Sequence, residues 1–194
     1  MIAIIDYNAG NATSLSNVLT NMGYECEITA DSDKINSAEK VVFPGVGEAS
    51  SAMKYLKENG LDQVIINLKQ PFLGICLGMQ LMCKFSEEGA TDCLGIFDCN
   101  VKLFPALDIV PHNGWNNMES IESQLFAGIN NVDDVYFIHS YYAEICEYTI
   151  SKCDYILPFS AALQKDNFYG TQFHPEKSGL VGQIILQNFL RLTV

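Results

Sequence analysis

Gly74-Ile75-Cys76-Leu77-Gly78-Met79-Gln80 is the stretch that organises this chain. An apolar run, Phe72–Ile75, reads as a buried strand leading into it, and helical spacing from Leu77 to Phe85 leads out. A strand that turns sharply into a helix needs strained backbone angles at the turn. It also needs no Cβ on the flanking residues, which would collide with neighbouring backbone. Glycines at 74 and 78 meet that demand. The residue at the apex is Cys76, a candidate covalent nucleophile whose thiolate is favoured by the start of the following helix. The other six cysteines read as core or structural thiols, Cys83 included.

On the N-terminal side, Ile2–Asp6, Glu25–Thr29 and Lys40–Phe43 read as short strands. Helical spacing covers Thr13–Met22, Ala49–Leu56 and Asp62–Leu68. A turn is expected at Tyr7–Asn11. Strands alternating with helices predict parallel strands joined by right-handed crossovers. From about Leu94 to Gly170 the pattern changes to short extended segments: Asn100–Phe104, Val135–His139, Ala143–Tyr148, Tyr155–Leu157 and Ser160–Gln164. These predict an antiparallel section added to the sheet. Ser178–Leu192 returns to helical spacing, with Ser178 as its expected N-cap. No linker or repeat interrupts the chain, so residues 1–194 read as one α/β domain.

Composition narrows the chemistry. A net charge of -12 disfavours nucleic acid and anionic membranes as partners. The single arginine, Arg191, leaves no material for a guanidinium clamp on phosphate or carboxylate. Seven cysteines, an odd number, with no Cys-x-x-Cys pair and three histidines, suit a reducing compartment and predict neither a disulfide framework nor a metal site. No cofactor is expected. The apolar N-terminus is too short for a signal peptide and no apolar run reaches about 18 residues, so a cytoplasmic location is expected.

A nucleophilic cysteine needs a base. His174 lies in Phe173-His174-Pro175-Glu176, two residues from Glu176. On an extended segment, positions i and i+2 face the same side, so Glu176 is placed to orient the imidazole while its other nitrogen faces the thiol. Pro175 is expected to keep that segment extended. Pro44-Gly45-Val46-Gly47 follows a strand directly. Its glycines let backbone N–H groups turn toward a ligand, as an oxyanion hole requires.

Together these three runs, in this order and spacing, resemble the class I (triad) glutamine amidotransferases over essentially the whole chain. Three more runs resemble one branch, the glutaminase subunits of imidazole glycerol phosphate synthase: Ile5–Asn11, Pro111-His112-Asn113-Gly114-Trp115-Asn116 and Tyr136–Tyr142. The resemblance implies a three-layer, flavodoxin-like fold, with a mostly parallel central sheet and an antiparallel extension. It implies that Cys76 attacks the side-chain amide of glutamine, His174 moves the proton and Glu176 orients His174. Gly45, Val46, Gly47 and the Leu77 backbone would hold the oxyanion, and Gln80, Ser140 and Tyr141 the substrate. Pro111, Trp115, Asn116 and Tyr136 would lie at the junction with a (β/α)8 cyclase partner in a heterodimer. Ammonia would pass to that partner without release, for the synthesis of imidazole glycerol phosphate and AICAR in histidine biosynthesis.

Other readings use the same residues differently. The chain could feed anthranilate or aminodeoxychorismate synthase, act as a stand-alone γ-glutamyl hydrolase, or be a non-catalytic binding module. His112 and His139 read as hydrogen-bonded core or interface residues. Glu48 and Asn113 depart from the pattern of the resemblance. A glutaminase acting alone would waste glutamine, so the Gly45–Gly47 strand is expected to turn its N–H groups correctly only with a loaded partner.

Overall fold

The computed structural model describes residues 1–7, 11–119 and 123–193. Strands β1 (Ile2–Ile5), β2 (Cys26–Thr29), β3 (Lys40–Phe43) and β4 (Phe72–Ile75) are parallel, in the order β4-β3-β1-β2. Helices α1 (Ala12–Asn21), α2 (Ser32–Ser37), α3 (Ala49–Glu58) and α4 (Leu61–Asn67) lie between them in sequence. α5 (Leu77–Met82) follows β4 through Cys76.

The strand residues alternate between two cores. Ile2, Ile4, Val42, Leu73 and Ile75 pack on one face of the sheet with Leu15 and Leu19 of α1. Ala3, Ile5, Val41, Phe43 and Phe72 pack on the other with Met53, Leu56, Leu61 and Ile65 of α3 and α4. Burial on both faces is why these strands read as continuous apolar runs. The layers are helix, sheet, helix, as the resemblance implied.

Residues 85–171 build three separate antiparallel or mixed units. β5 (Phe85–Ser86), β6 (Thr91–Asp92), β7 (Asn100–Leu103) and β10 (Tyr141–Ala143) form a small sheet. β8 (His112–Asn117) and β9 (Asp134–His139) form an antiparallel ribbon. β11 (Thr149–Asp154), β12 (Pro158–Lys165) and β13 (Phe168–Thr171) extend the main sheet to the order β11-β12-β13-β4-β3-β1-β2. β13 pairs parallel with β4, and β12 and β11 add antiparallel. α6 (Gly179–Arg191) closes the first core with Ile185, Leu186 and Phe189.

Several boundaries differ from the sequence expectation. The helix after Cys76 ends at Met82, six residues long, because Cys83 turns extended (φ -67°, ψ 176°) to begin the small sheet. Ala143–Tyr148 and Tyr155–Leu157 are largely irregular, and their expected pairing passes to Thr149–Asp154. α2 was not expected. It holds one buried residue, Ile35, and rests on its Asp31 cap, which accepts from Asp33 N and Lys34 N. Ser178 precedes α6 but does not cap it by its side chain. Its hydroxyl donates instead to His174 O at 2.7 Å and accepts from Tyr136 N at 3.0 Å. The turn expected at Tyr7–Asn11 falls mostly on residues 8–10, outside the described residues.

Strand order reverses beside β1, with β2 on one side and β3 on the other. In open α/β sheets, the carboxyl ends of strands at such a switch point form a crevice that binds ligands. Tyr7, Gly45–Gly47 and Cys76 follow β1, β3 and β4 at this end of the sheet.

Candidate active site

Cys76 sits at φ 51°, ψ -109°, left-handed backbone in a residue that carries a Cβ. Such strain costs on the order of 1–3 kcal/mol and persists only where its surroundings enforce it. The enforcement is visible. Cys76 N donates to Thr171 O of β13 at 2.7 Å, and Gln80 N donates to Cys76 O at 3.0 Å. The flanking glycines are required by close approach. A Cβ on Gly78 would lie 2.1 Å from Phe43 O, and one on Gly45 would lie 2.2 Å from Gly78 N. The Gly45–Gly47 segment is thus packed directly on the elbow. Gly45 is glycine for that contact, whereas Gly47 is glycine for its φ of 124°.

His174 enters three residues after β13, anchored by its N–H to Tyr136 O of β9 at 2.9 Å. Pro175 does not keep the segment extended. Pro175–Lys177 is a tight 3₁₀ turn, and this turn brings Glu176 back onto His174. His174 Nδ1 and Glu176 Oε1 are 2.8 Å apart, with both side chains 1% exposed. Asn11 Nδ2 also donates to Glu176 Oε1. Burial alone would lower the imidazole's pKa. The Cys76 sulfur and the Glu176 carboxylate outweigh it and raise the value to about 9. His174 is therefore a base strong enough to take the Cys76 proton. Its Nε2 is buried and has no hydrogen-bond partner among the described residues. The arrangement is a thiol, an imidazole base and an orienting carboxylate.

A cavity of about 380 Å³ opens over this group. Gly45, Val46, Gly47, Cys76, Leu77, Gln80, Ser140, Tyr141 and His174 all line it, so the structure gathers the expected substrate residues around the Cys76 thiol; Pro111, expected at the partner junction, lines it too. Glu176 stands behind His174. Trp115 and Asn116 lie outside the cavity on the β8–β9 ribbon. Trp115 is 57% exposed and packs edge-on to Tyr136, centroids 5.9 Å apart. Asn116 is tied within the chain, donating to Asp154 O at 3.0 Å.

Four residues have contacts that sequence reasoning missed. Tyr7 brackets one residue of the Gly45–Gly47 segment. Its hydroxyl accepts from Val46 N at 3.2 Å and donates to Val46 O at 3.3 Å. Burial pushes its pKa far above the usual phenol value. The Val46 N–H is therefore committed away from the cavity. Asn11 steadies Glu176. Glu88 lines the cavity, and one of its carboxylate oxygens accepts from Ala49 N at 2.8 Å. Burial raises its pKa. Gln172, fully buried, lies 3.5 Å by its Nε2 from Cys76 Sγ. Tyr7 and Asn11 lay in a run noted for its resemblance, but nothing in that run assigns them partners.

The remaining expectations resolve simply. His112 and His139 form a buried pair, Nδ1 to Nε2 at 3.2 Å, with burial lowering their pKa values to about 4 and about 3. Both stay neutral at physiological pH. Glu48 caps α3 through Ser50 N and Ser51 N. Asn113 accepts from the Tyr136 hydroxyl at 2.9 Å. Among the described residues no cluster of His, Cys, Asp and Glu is placed to hold a metal, and no helix is long and apolar enough to cross a membrane.

Known proteins are similar to this chain in sequence and in architecture. A Bacteroides fragilis (strain YCH46) protein named imidazole glycerol phosphate synthase subunit HisH is 56% identical, the match covering 98% of this chain and 99% of its own. A Bacteroides thetaiotaomicron protein of the same name is 55% identical over the same shares. A Legionella pneumophila (strain Paris) protein named imidazole glycerol phosphate synthase subunit HisH 2 is 47% identical, covering 99% and 98%. Among solved structures, a putative GMP synthase component from Thermoplasma acidophilum superposes with a TM-score of 0.77 at 20% identity, covering 97% of this chain and 91% of its own. A structure described as a glutamine amidotransferase gives 0.76 at 16%, covering 98% and 97%. At those identities the two structures show the fold alone. The family described as Glutamine amidotransferase class-I matches residues 3–192. The elbow thus stands in a fold and a sequence of one lineage, and the chain belongs to the class I glutamine amidotransferases.

Proposed function

We propose that residues 1–194 form one glutaminase domain, the ammonia-producing subunit of an imidazole glycerol phosphate synthase. The observation that carries the reading is the His174 ring, held 2.8 Å from Glu176 by its Nδ1 and lining one cavity with Cys76. Relatives 55% and 56% identical over nearly the full chain carry that enzyme's name.

The reaction follows from the geometry. Cys76 Sγ gives its proton to His174 and attacks the side-chain carbonyl carbon of glutamine. His174 Nε2–H then protonates the departing nitrogen, and ammonia leaves behind a γ-glutamyl thioester. Neutral His174 next takes a proton from water. The new oxygen–carbon bond forms as the carbon–sulfur bond breaks, the proton returns to sulfur, and glutamate departs. General acid–base help of this kind is worth about 10²–10⁴-fold.

Recognition of glutamine needs no guanidinium. Both Gln80 Nε2 hydrogens are committed, to Tyr141 O at 2.8 Å and Gln172 Oε1 at 2.9 Å, so Oε1 is its only group for a ligand. Gln80 Oε1 and the Glu88 carboxylate suit an ammonium. Main-chain groups at Ser140 and Tyr141 suit a carboxylate. Leu77 N and a donor from Gly45–Gly47 suit the oxyanion.

The partner surface is the outward side of the β8–β9 ribbon. Outward residues alternate with buried ones: Tyr136 and Ile138 face out, while Val135, Phe137 and His139 face in. Trp115, Tyr136 and Ile138 make an aromatic and apolar patch beside the cavity mouth, with Ile138 on its wall. Such anchors dominate protein interfaces. A (β/α)8 cyclase seated there would receive ammonia directly.

The test is glutaminase activity of the chain alone, with the cyclase, and with the cyclase plus its ribonucleotide ligand. Low activity alone and a rise of about a hundredfold or more in the full complex is expected, the size of one oxyanion donor. Full activity without a partner would contradict the reading.

A further inference from the structure

Gln172 is the buried residue directly after β13, and its side chain is turned onto the Cys76 sulfur. Nε2 lies 3.5 Å from Cys76 Sγ, and Oε1 accepts from Gln80 Nε2 at 2.9 Å. The orientation of both amides is forced. Tyr141 O can only accept, so the Gln80 atom 2.8 Å from it is nitrogen. The second hydrogen on that nitrogen needs an oxygen, so Gln172 presents Oε1 to Gln80. Its own nitrogen is left for the sulfur. The same carbonyl fixes His139, whose Nδ1 lies 2.7 Å away and must carry the proton there.

Resting on the proposed glutaminase reading, we infer that Gln172 is a further catalytic residue, whose amide N–H stabilises negative charge on the Cys76 sulfur. A thiol gains little from that donor, because sulfur is a weak acceptor until it is charged. The thiolate gains a charge-assisted hydrogen bond from a fully buried donor. His174 also donates to the thiolate, but it spends that proton on the departing nitrogen. Gln172 keeps its protons through the cycle. It is therefore the donor that remains when Cys76 is expelled from the thioester while His174 is passing a proton between water and sulfur. Gln80 is the positioning residue for this contact. The residue that offers Oε1 to substrate thereby also aims the amide at the nucleophile.

The test is alkylation of the full chain by iodoacetamide across pH, read on the Cys76 peptide by mass spectrometry, with no glutamine or partner present. In Gln172→Leu the half-maximal pH should rise by about one unit, with an alkylation rate near pH 7 about tenfold lower. Gln172→Glu keeps the shape but sets a carboxylate against the sulfur, and should move the midpoint further up. It carries the test if the leucine variant fails to fold. A merely structural Gln172 would lower the melting temperature of these variants and leave the midpoint in place. That result overturns the inference while the glutaminase reading stands. If Cys76 of the unsubstituted chain labels no faster than the other six cysteines, both are overturned.

Discussion

His174 carries opposing influences that can be separated by substitution. Burial disfavours its cation, and the Cys76 sulfur and Glu176 carboxylate favour it strongly enough to raise its pKa to about 9. A histidine raised in the fold stabilises the native state fully below its unfolded value of about 6.5. That contribution is lost as pH rises through about 9. In Cys76→Ala the sulfur partner is gone, so the His174 ring, followed by NMR, should titrate at lower pH than in the unsubstituted chain. An unchanged titration would mean that the sulfur does not couple to the ring. Cys76, His174 and Glu176 were legible in the sequence because each lies within one tight turn whose spacing is local. Tyr7, Asn11 and Gln172 were not, because their contacts cross 39, 165 and 96 residues of chain. No short run can announce a bond that depends on strand order. Glu88 escaped for the same reason. It reaches the cavity from the turn after β5, a strand placed only by the small sheet.

At the scale of elements, the Gly45–Gly47 segment is held in one orientation by contacts from two sides. Gly45 is pressed on the elbow, while Val46 is bracketed by the Tyr7 hydroxyl on both its N–H and its C=O. Tyr7 itself is buried and packs edge-on against Phe43 of β3, centroids 5.1 Å apart. In this arrangement the strand withholds a donor from the cavity. Tyr7→Phe keeps the ring and removes both bonds, each worth about 0.5–1.5 kcal/mol net. Glutaminase activity of the chain without a partner should then rise about threefold to tenfold. A fall in that activity would mean that the hydroxyl holds the strand in its working state. The sequence showed β3 and β4 to the residue, because both faces of these strands are buried and nearly every position is apolar. It did not show β8, His112–Asn117, whose outward positions are polar and whose pairing to β9 supplies what its composition lacks. The helix after Cys76 was read too long because its apolar spacing continues into β5, just before which Lys84 N donates to Cys99 O at 2.9 Å.

Across the whole molecule, the parallel half was legible from alternating strands and helices, and the placement of the antiparallel segments was not. One long antiparallel extension was expected. The segments divide instead among the main sheet, a four-stranded sheet and the β8–β9 ribbon. Only long-range pairing decides that division, since short strands of similar composition fit any of the three edges. The division has a functional consequence. β13 brings His174 beside Cys76 through its parallel pairing with β4, while the ribbon carries Trp115 and Tyr136 outward at the cavity mouth. In the proposed reading, chemistry and partner docking sit on adjoining but separate elements, so removing the Cys76 sulfur should leave docking and the partner's own reaction intact. The most direct measurement is product formation by the complex of Cys76→Ala with the (β/α)8 cyclase, supplied either with glutamine or with an ammonium salt. The account predicts that glutamine-dependent synthesis disappears and ammonium-dependent synthesis persists. Synthesis from glutamine by the Cys76→Ala complex would contradict it.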